Sequence, residues 1–416
     1  MYHLSSIRRL VPIAVGILAA TGVFAQTPGL IYKPSGTVLG KSVLDPNGDG
    51  YTSLTSSGFT TTDYGSNSEL DMVPFPIITT EPTGDLTTGS TGGSTDVVSA
   101  TGTQSCYILY REVSGTPYLV VRFRLGGAST ASKGYSLLID TDGNFSGTGV
   151  NPGYEKEVLM GTGNNGAVSV ITYDANGGIT QRSDYSLDEY SQRSIALSTS
   201  GGDPDYFYDF FIPSADLSVG SQPVRIVPVT ITSSGNGLTG TKGDFNGVND
   251  QAYKNNSEAI ARDLISAFPP TSLPSLTSGS SFPSPRTLAP VVSGGITVAG
   301  TSISGTCREP AGTSVTVYRN GATLGTTAVD ANGNWTLTGV SGLQMGQFIT
   351  ADALASGKTR SALSNSVEVT AAQICYLQTP VITADQSSGN KFFTVVWTWP
   401  VGMDPVQNPI KIRVYS

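Results

Sequence analysis

The sequence predicts an all-β protein, built as two antiparallel β-sandwiches with a further strand-bearing segment behind them. Three observations carry this reading. Short bursts of Val, Ile, Thr and Tyr recur along the chain between turn residues. Only 13% of the residues are charged, while Gly alone fills 50 of 416 positions, a composition suited to turn-rich sheets. No helical stretch separates the bursts, so the crossovers that parallel strands require are missing.

The elements follow in chain order. Arg8 and Arg9 precede an apolar run from Leu10 to Thr21, and Val23-Phe24-Ala25 has the small-residue pattern of a secretory cleavage site. Residues 1–25 are read as a signal peptide, with the mature chain starting at Gln26 and exported to the medium or the cell surface. The remaining roughly 390 residues allow two or three domains. Residues 26–268 form the first, a jelly-roll-like sandwich with strands at Cys106 to Glu112, Pro117 to Leu125, Tyr135 to Ile139, Ala167 to Tyr173, Tyr206 to Ile212 and Val224 to Thr232. Within it VVRFRL alternates apolar and charged residues and predicts a strand with one wet face. YFYDFFI predicts a strand buried on both sides. One helix is expected, with Ile260, Leu264 and Phe268 on one face, Asn256 or Ser257 as N-cap, and Pro269-Pro270 as its stop. Residues 269–288, rich in Pro and Ser, read as a stiff solvated linker. Residues 289–372 follow. Their stretch SGTCREPAGTSVTVYRNGATLGTTAVDANGNWTLTGV joins alternating strands at Asn320-Gly321 and Asn332-Gly333, dipeptides suited to type I′ hairpin turns. This stretch resembles a bacterial immunoglobulin-like domain, a resemblance that implies a spacer or adhesive module. Residues 373–416 carry strand patterns at Phe392 to Trp399 and Ile410 to Tyr415, read as the start of a further β domain or as C-terminal strands.

Two acidic loops invite a cation. In LDPNGDGYTS, the residues Asp45, Asn47 and Asp49 stand at positions 1, 3 and 5 of a calcium loop, with Gly50 at 6 and the Tyr51 carbonyl at 7. Position 12 is Ser56, so a carboxylate must come from elsewhere; Glu69 and Asp71 are the candidates. In DTDGNFS, the residues Asp140, Asp142 and Asn144 repeat the spacing, with Glu155 or Glu157 to complete the shell. Calcium would be structural in both. The rival reading is an Asx/Gly turn, which the same residues favour without metal. Asp244, Asn246, Asn249 and Asp250 are oxygen-rich with less regular spacing, and Asp330 to Asn334 reads as a turn.

LDPNGDGYTS, NSELDM, KGYSLLIDTDGNF, NPGYEKEVLMG and YFYDFFIPSADL occur in that order. Together they resemble the N-terminal module of large secreted surface repeat proteins of the type IX pathway. More loosely they are similar to family 9 carbohydrate-binding modules and DOMON-type sandwiches. The looser resemblance implies glycan binding on aromatic side chains, for which Tyr107, Tyr110, Tyr154, Tyr173, Tyr185 and Tyr190 are the candidates.

Several functions are excluded. The net charge of −8 argues against a nucleic-acid partner, whose phosphates need a basic face. The single histidine, His3, lies in the leader, so Ser-His-Asp and Cys-His catalysis have no base. Of three cysteines, Cys307 and Cys375 bracket the immunoglobulin-like segment and form the candidate disulfide, and Cys106 starts a strand. Paired carboxylates, Glu155 with Glu157 or Asp184 with Asp188, leave a glycosidase as the one enzymatic route. The expected function is a non-enzymatic, adhesin-like protein binding a glycan or a cell-surface protein; the alternative is the carbohydrate-binding module of a glycan-degrading system. No transmembrane helix is expected after the leader, and the sequence does not set an oligomeric state.

Overall fold

The computed structural model describes residues 27–34, 42–52, 69–99, 105–129, 131–233, 235–371, 381–385 and 392–396. The predicted leader, Cys375, Trp397, Trp399 and the expected strand from Ile410 to Tyr415 lie outside these residues. The chain forms two compact units, Met1–Pro285 and Arg286–Ser416.

The first unit is a sandwich of two sheets. Its strands are β1 (Val73–Pro74), β2 (Cys106–Val113), β3 (Thr116–Leu125), β4 (Gly134–Asp140), β5 (Lys156–Gly161), β6 (Ala167–Tyr173), β7 (Ile179–Ser186), β8 (Ser191–Ser200), β9 (Asp203–Pro213), β10 (Pro223–Ile231), β11 (Lys242–Phe245) and β12 (Thr271–Ser272). One sheet runs β1-β2-β3-β9-β8; the other runs β11-β10-β4-β5-β6-β7, with β12 on β10. Inward residues such as Val121, Phe123, Phe210, Leu137, Val158 and Ile226 fill the space between them. Burying each such side chain contributes about 1.5–3 kcal/mol.

The outer face of the first sheet is covered as well. Val43, Leu44, Leu70 and Met72 pack on Tyr107, Leu109, Val120 and Phe211. This corrects the wet face expected for VVRFRL. Arg122 and Arg124 are each 1% exposed and pair with Asp209 and Asp205 of β9. The alternation was real, but a second layer from the N-terminal segment closes over that side. YFYDFFI is buried from Phe207 to Ile212, as its composition predicts.

Besides the single turn α1 (Leu187–Tyr190), the first unit holds the expected helix, α2 (Ser257–Ala267). Its N-cap is Asn256, whose side chain accepts from Ala259 N at 3.1 Å, and Ile260, Leu264 and Phe268 are buried. The stretch after it is not a solvated linker throughout. Thr271 and Ser272 pair with Val224 and Pro223, Leu276 O accepts from Tyr110 N at 2.7 Å, and Phe282 lies 5.2 Å from Phe75 between ring centres. Leu273, Leu276 and Phe282, interspersed among the prolines, supply the apolar surface that holds it down.

The second unit is a smaller sandwich. Its strands are β13 (Val291–Val292), β14 (Ser302–Thr306), β15 (Ser314–Arg319), β16 (Ala322–Ala328), β17 (Asn334–Thr338), β18 (Phe348–Leu354) and β19 (Val367–Glu368). They form sheets β13-β14-β17 and β16-β15-β18-β19 around Ile303, Val315, Val317, Trp335 and Ile349. The turn at Asn320-Gly321 has positive φ at both residues, 50° and 82°, as type I′ demands. The turn at Asn332-Gly333 corrects the expectation: only Gly333 is left-handed, at 76°. Asp330 Oδ1 accepts from Asn332 N and Asn334 N, both at 2.8 Å, so an Asx turn forms instead. Cys307 is buried, with Sγ 3.9 Å from Leu288 O. Two further strands, β20 (Val381–Asp385) and β21 (Phe392–Val396), pair antiparallel.

Candidate metal centres

Among the described residues of the first unit three groups of carboxylates converge, each with one oxygen per residue within 4.8 Å of the others: Asp45, Asp49 and Glu69; Asp140, Asp142 and Glu155; and Glu81, Asp85 and Asp244.

The first is the LDPNGDGYTS loop. Asp45 is buried and organises it, accepting from Gly48 N at 2.8 Å and Gly50 N at 2.9 Å. Asp49 Oδ1 accepts from Tyr51 N at 2.8 Å, and Gly50 O accepts from Ile31 N at 2.9 Å, tying the loop to the segment beneath it. Glu69 is the carboxylate brought in from outside. Burial, then the charges of Asp49 and Asp45, push its carboxyl up to about 7. Its Oε2 is sealed and has no hydrogen-bond partner among the described residues. The Asn47 amide nitrogen donates to Asp49 Oδ2 at 3.1 Å and to Glu69 Oε1. A cation here would take the place of that neutral amide donor between the two carboxylates. Asp71, the other candidate, stays apart and accepts from Ser278 Oγ at 2.7 Å.

The second is the DTDGNFS loop at the end of β4. Asp140, 1% exposed, accepts from Gly143 N at 2.7 Å. Asp142 is bonded by the side chain and backbone of Asn144, which hold its carboxyl below the usual range. Glu155 completes the group, while its Oε2 accepts from Thr141 N at 2.7 Å. Burial pushes the Glu155 carboxyl up. Asp140 also faces Arg225 Nη1 at 3.3 Å, so part of this loop's negative charge is already met. Glu157 does not join. It is fully buried, its Oε1 accepting from Ser136 Oγ at 2.7 Å and Gly237 N at 2.6 Å, and its Oε2 from Tyr173 Oη. Glu155 and Glu157 therefore do not face one open groove. Asp184 is tied to Arg182 at 2.8 Å and to Ser169 Oγ at 2.6 Å.

The third group has no signature in the sequence. Asp244 and Asp250 stand six positions apart, but Glu81 and Asp85 come from the segment between β1 and β2 and share no spacing with them. Only the folded chain brings them together. Exposures are 3% for Glu81, 4% for Asp85 and 0% for Asp244 and Asp250.

The aromatic candidates are not a platform. Tyr107, Tyr154 and Tyr173 are buried. Tyr185 and Tyr190 pack against each other as tilted rings with centres 4.4 Å apart, and Tyr190 against Phe211 at 4.9 Å. A separate cavity of about 530 Å³ is lined by Thr162, Asn164, Ser186, Asp188, Arg193 and Tyr208, among others.

No protein-family model and no curated protein sequence matches the chain. Solved structures similar to it include a protease at 18% identity, covering 23% of this chain and 21% of that one, with a TM-score of 0.17. The BSP domain of a biofilm-associated protein is 12% identical and covers 67% of this chain and 69% of that one, with a TM-score of 0.20. The adhesin domain of Epf from Streptococcus pyogenes is 10% identical and covers 66% and 82%, with a TM-score of 0.19. No helix among the described residues is long and apolar enough to cross a membrane.

Proposed function

We propose that the chain is a non-enzymatic, adhesin-like protein of the secreted or cell-surface class. In this reading the first unit is a calcium-stabilised binding module and the immunoglobulin-like unit a spacer. The observation that carries it is the convergence of Asp45, Asp49 and Glu69 on one loop and Asp140, Asp142 and Glu155 on another. Calcium takes six to eight oxygen ligands, and the backbone carbonyls of such loops, Tyr51 among them, would add to the carboxylates. The resemblance of the first unit to type IX surface modules and to family 9 and DOMON sandwiches points the same way. A hydrolase is disfavoured by Glu157, which is sealed among three hydrogen-bond donors.

A second reading makes the first unit a carbohydrate-binding module of a glycan-degrading system. The cavity beside Arg193 favours it, because the hydroxyl, amide and charged groups of Thr162, Asn164, Ser186 and Asp188 suit a hydroxylated ligand. The test is retention of the mature chain on a panel of polysaccharides, in calcium and in EDTA. Retention lost in EDTA and weakened by Arg193→Ala would establish the carbohydrate reading. A folded chain that binds no glycan but attaches to cells would support the adhesin reading with a protein partner. Release of sugar from any glycan, abolished in Asp184→Asn/Asp188→Asn, would overturn both.

A further inference from the structure

The third acidic group differs from the two loops in being sealed. Each of its carboxylates spends one oxygen on the backbone. Asp244 Oδ2 accepts from Val97 N at 2.7 Å, Asp85 Oδ2 from Asp250 N at 3.0 Å, and Glu81 Oε2 from Gly247 N. Asp250 Oδ2 accepts from Thr87 N at 3.1 Å and Thr87 Oγ1 at 2.6 Å. The other oxygen of each, Glu81 Oε1, Asp85 Oδ1, Asp244 Oδ1 and Asp250 Oδ1, is buried and has no hydrogen-bond partner among the described residues. Four orphaned carboxylate oxygens, three of them on residues that converge, are costly, since burying even one unpaired charge is strongly unfavourable. The charges acting most strongly on Asp244 are Glu81, Asp250, Asp85 and Asp96, all acidic. Asp96 itself is engaged on both oxygens, by Gly84 N at 3.1 Å and Gly92 N at 2.5 Å.

We propose that Glu81, Asp85, Asp244 and Asp250 form a buried calcium site, distinct from the two acidic loops and independent of them. The donors are all hard oxygens, which selects a hard cation over zinc or copper. Three of the four offer oxygens within 4.8 Å of one another. The sealed setting selects calcium over magnesium, which gives up its waters reluctantly and usually keeps several of them. The backbone bonds aim the carboxylates as outer hydrogen bonds aim the ligands of other metal sites. The ion would pin the segment between β1 and β2 to the loop that follows β11, two stretches joined by contacts 163 to 166 residues apart in sequence.

The experiment is equilibrium dialysis of the full mature chain against Ca²⁺. A chain carrying Asp45→Asn and Asp140→Asn, with both loops weakened, is expected to retain one tightly held Ca²⁺ per molecule. Adding Glu81→Gln and Asp244→Asn is expected to weaken that binding at least about tenfold, because affinity follows the count of charged ligands. If the fourfold variant does not fold, the twofold variant decides alone: its first thermal transition should rise on adding Ca²⁺ after chelation. The proposal fails if the folded twofold variant binds no Ca²⁺ and is indifferent to it, which would mean the carboxylates hold protons instead. It also fails if the fourfold variant binds as tightly as the twofold one. Loss of binding confined to the loop substitutions would sink the reading of this site and leave the loops standing.

Discussion

Arg122 and Asp209 face each other across β3 and β9 as a doubly bonded pair, at 2.7 and 2.8 Å, with Gln192 Nε2 donating to the same carboxylate at 3.1 Å and the Phe207 ring 4.4 Å from the guanidinium carbon. Removing one partner of such a pair strands the other's charge. Asp209→Ala is therefore expected to destabilise the first unit by about 3–5 kcal/mol, while Arg122→Met/Asp209→Leu together should cost far less. Urea unfolding of the three chains checks this, and equal losses in the single and double variants would contradict it. The pair also marks a limit of reading residues by pattern. Alternation correctly put Arg122 and Arg124 on the side opposite Val121 and Phe123, yet it could not tell water from a covering segment. The acidic residues divide likewise. Asp45, Asn47 and Asp49 are legible because one short turn sets their spacing. Glu81 and Asp85 are silent in sequence because their partners are brought by the fold from more than 150 positions away.

Among the elements, β14 and β17 depend on a residue that pattern alone does not single out. Gly305 lies opposite Trp335, and a Cβ there would fall 2.3 Å from the indole Cζ2 and 2.0 Å from Val291 O. Gly305→Ala should destabilise the second unit by about 1–3 kcal/mol, the usual cost of overfilling a packed site. Calorimetry should show the second unit's transition falling while the first holds; movement of both, or of neither, would count against this account. Strands rich in Val, Tyr and Phe were legible because both packing and propensity favour them. β7 and β8 were not: ITQRSDYS is polar and largely exposed at a sheet edge, while SQRSIALSTS, mostly buried, is flanked by Gly29 and Tyr32 of the N-terminal segment, a neighbour that its own polar pattern does not announce. The helix was legible at both ends, since Asn256 caps it and the paired prolines stop it. The stretch beyond was misread because proline suggests exposure, whereas its leucines and Phe282 decide where it lies.

At the scale of the molecule, the two compact units differ in what holds them. The second has a core around Trp335, and its carboxylates Glu309 and Asp352 are paired with Lys358 and Arg360. The first gathers carboxylates that outnumber the cations beside them. Heating should therefore resolve two transitions, with chelation lowering only the first. At a few millimolar Ca²⁺ and the affinities of roughly 0.1–1 mM found in extracellular modules, each loop should contribute on the order of 1 kcal/mol. That corresponds to about 2–4 °C per kcal/mol for a unit of this size. A single transition, or a second unit equally sensitive to EDTA, would refute the division. The sealed acidic group adds a consequence about time. Asp244 and Asp250 have no exposure, so an ion at the proposed site could enter or leave only through a local opening of the chain around it. In a medium poor in divalent cations the mutual repulsion of the carboxylates would make that opening easier. Exchange at such a site would be slow, so a chain once loaded would keep its ion through a brief dilution that empties the open loops.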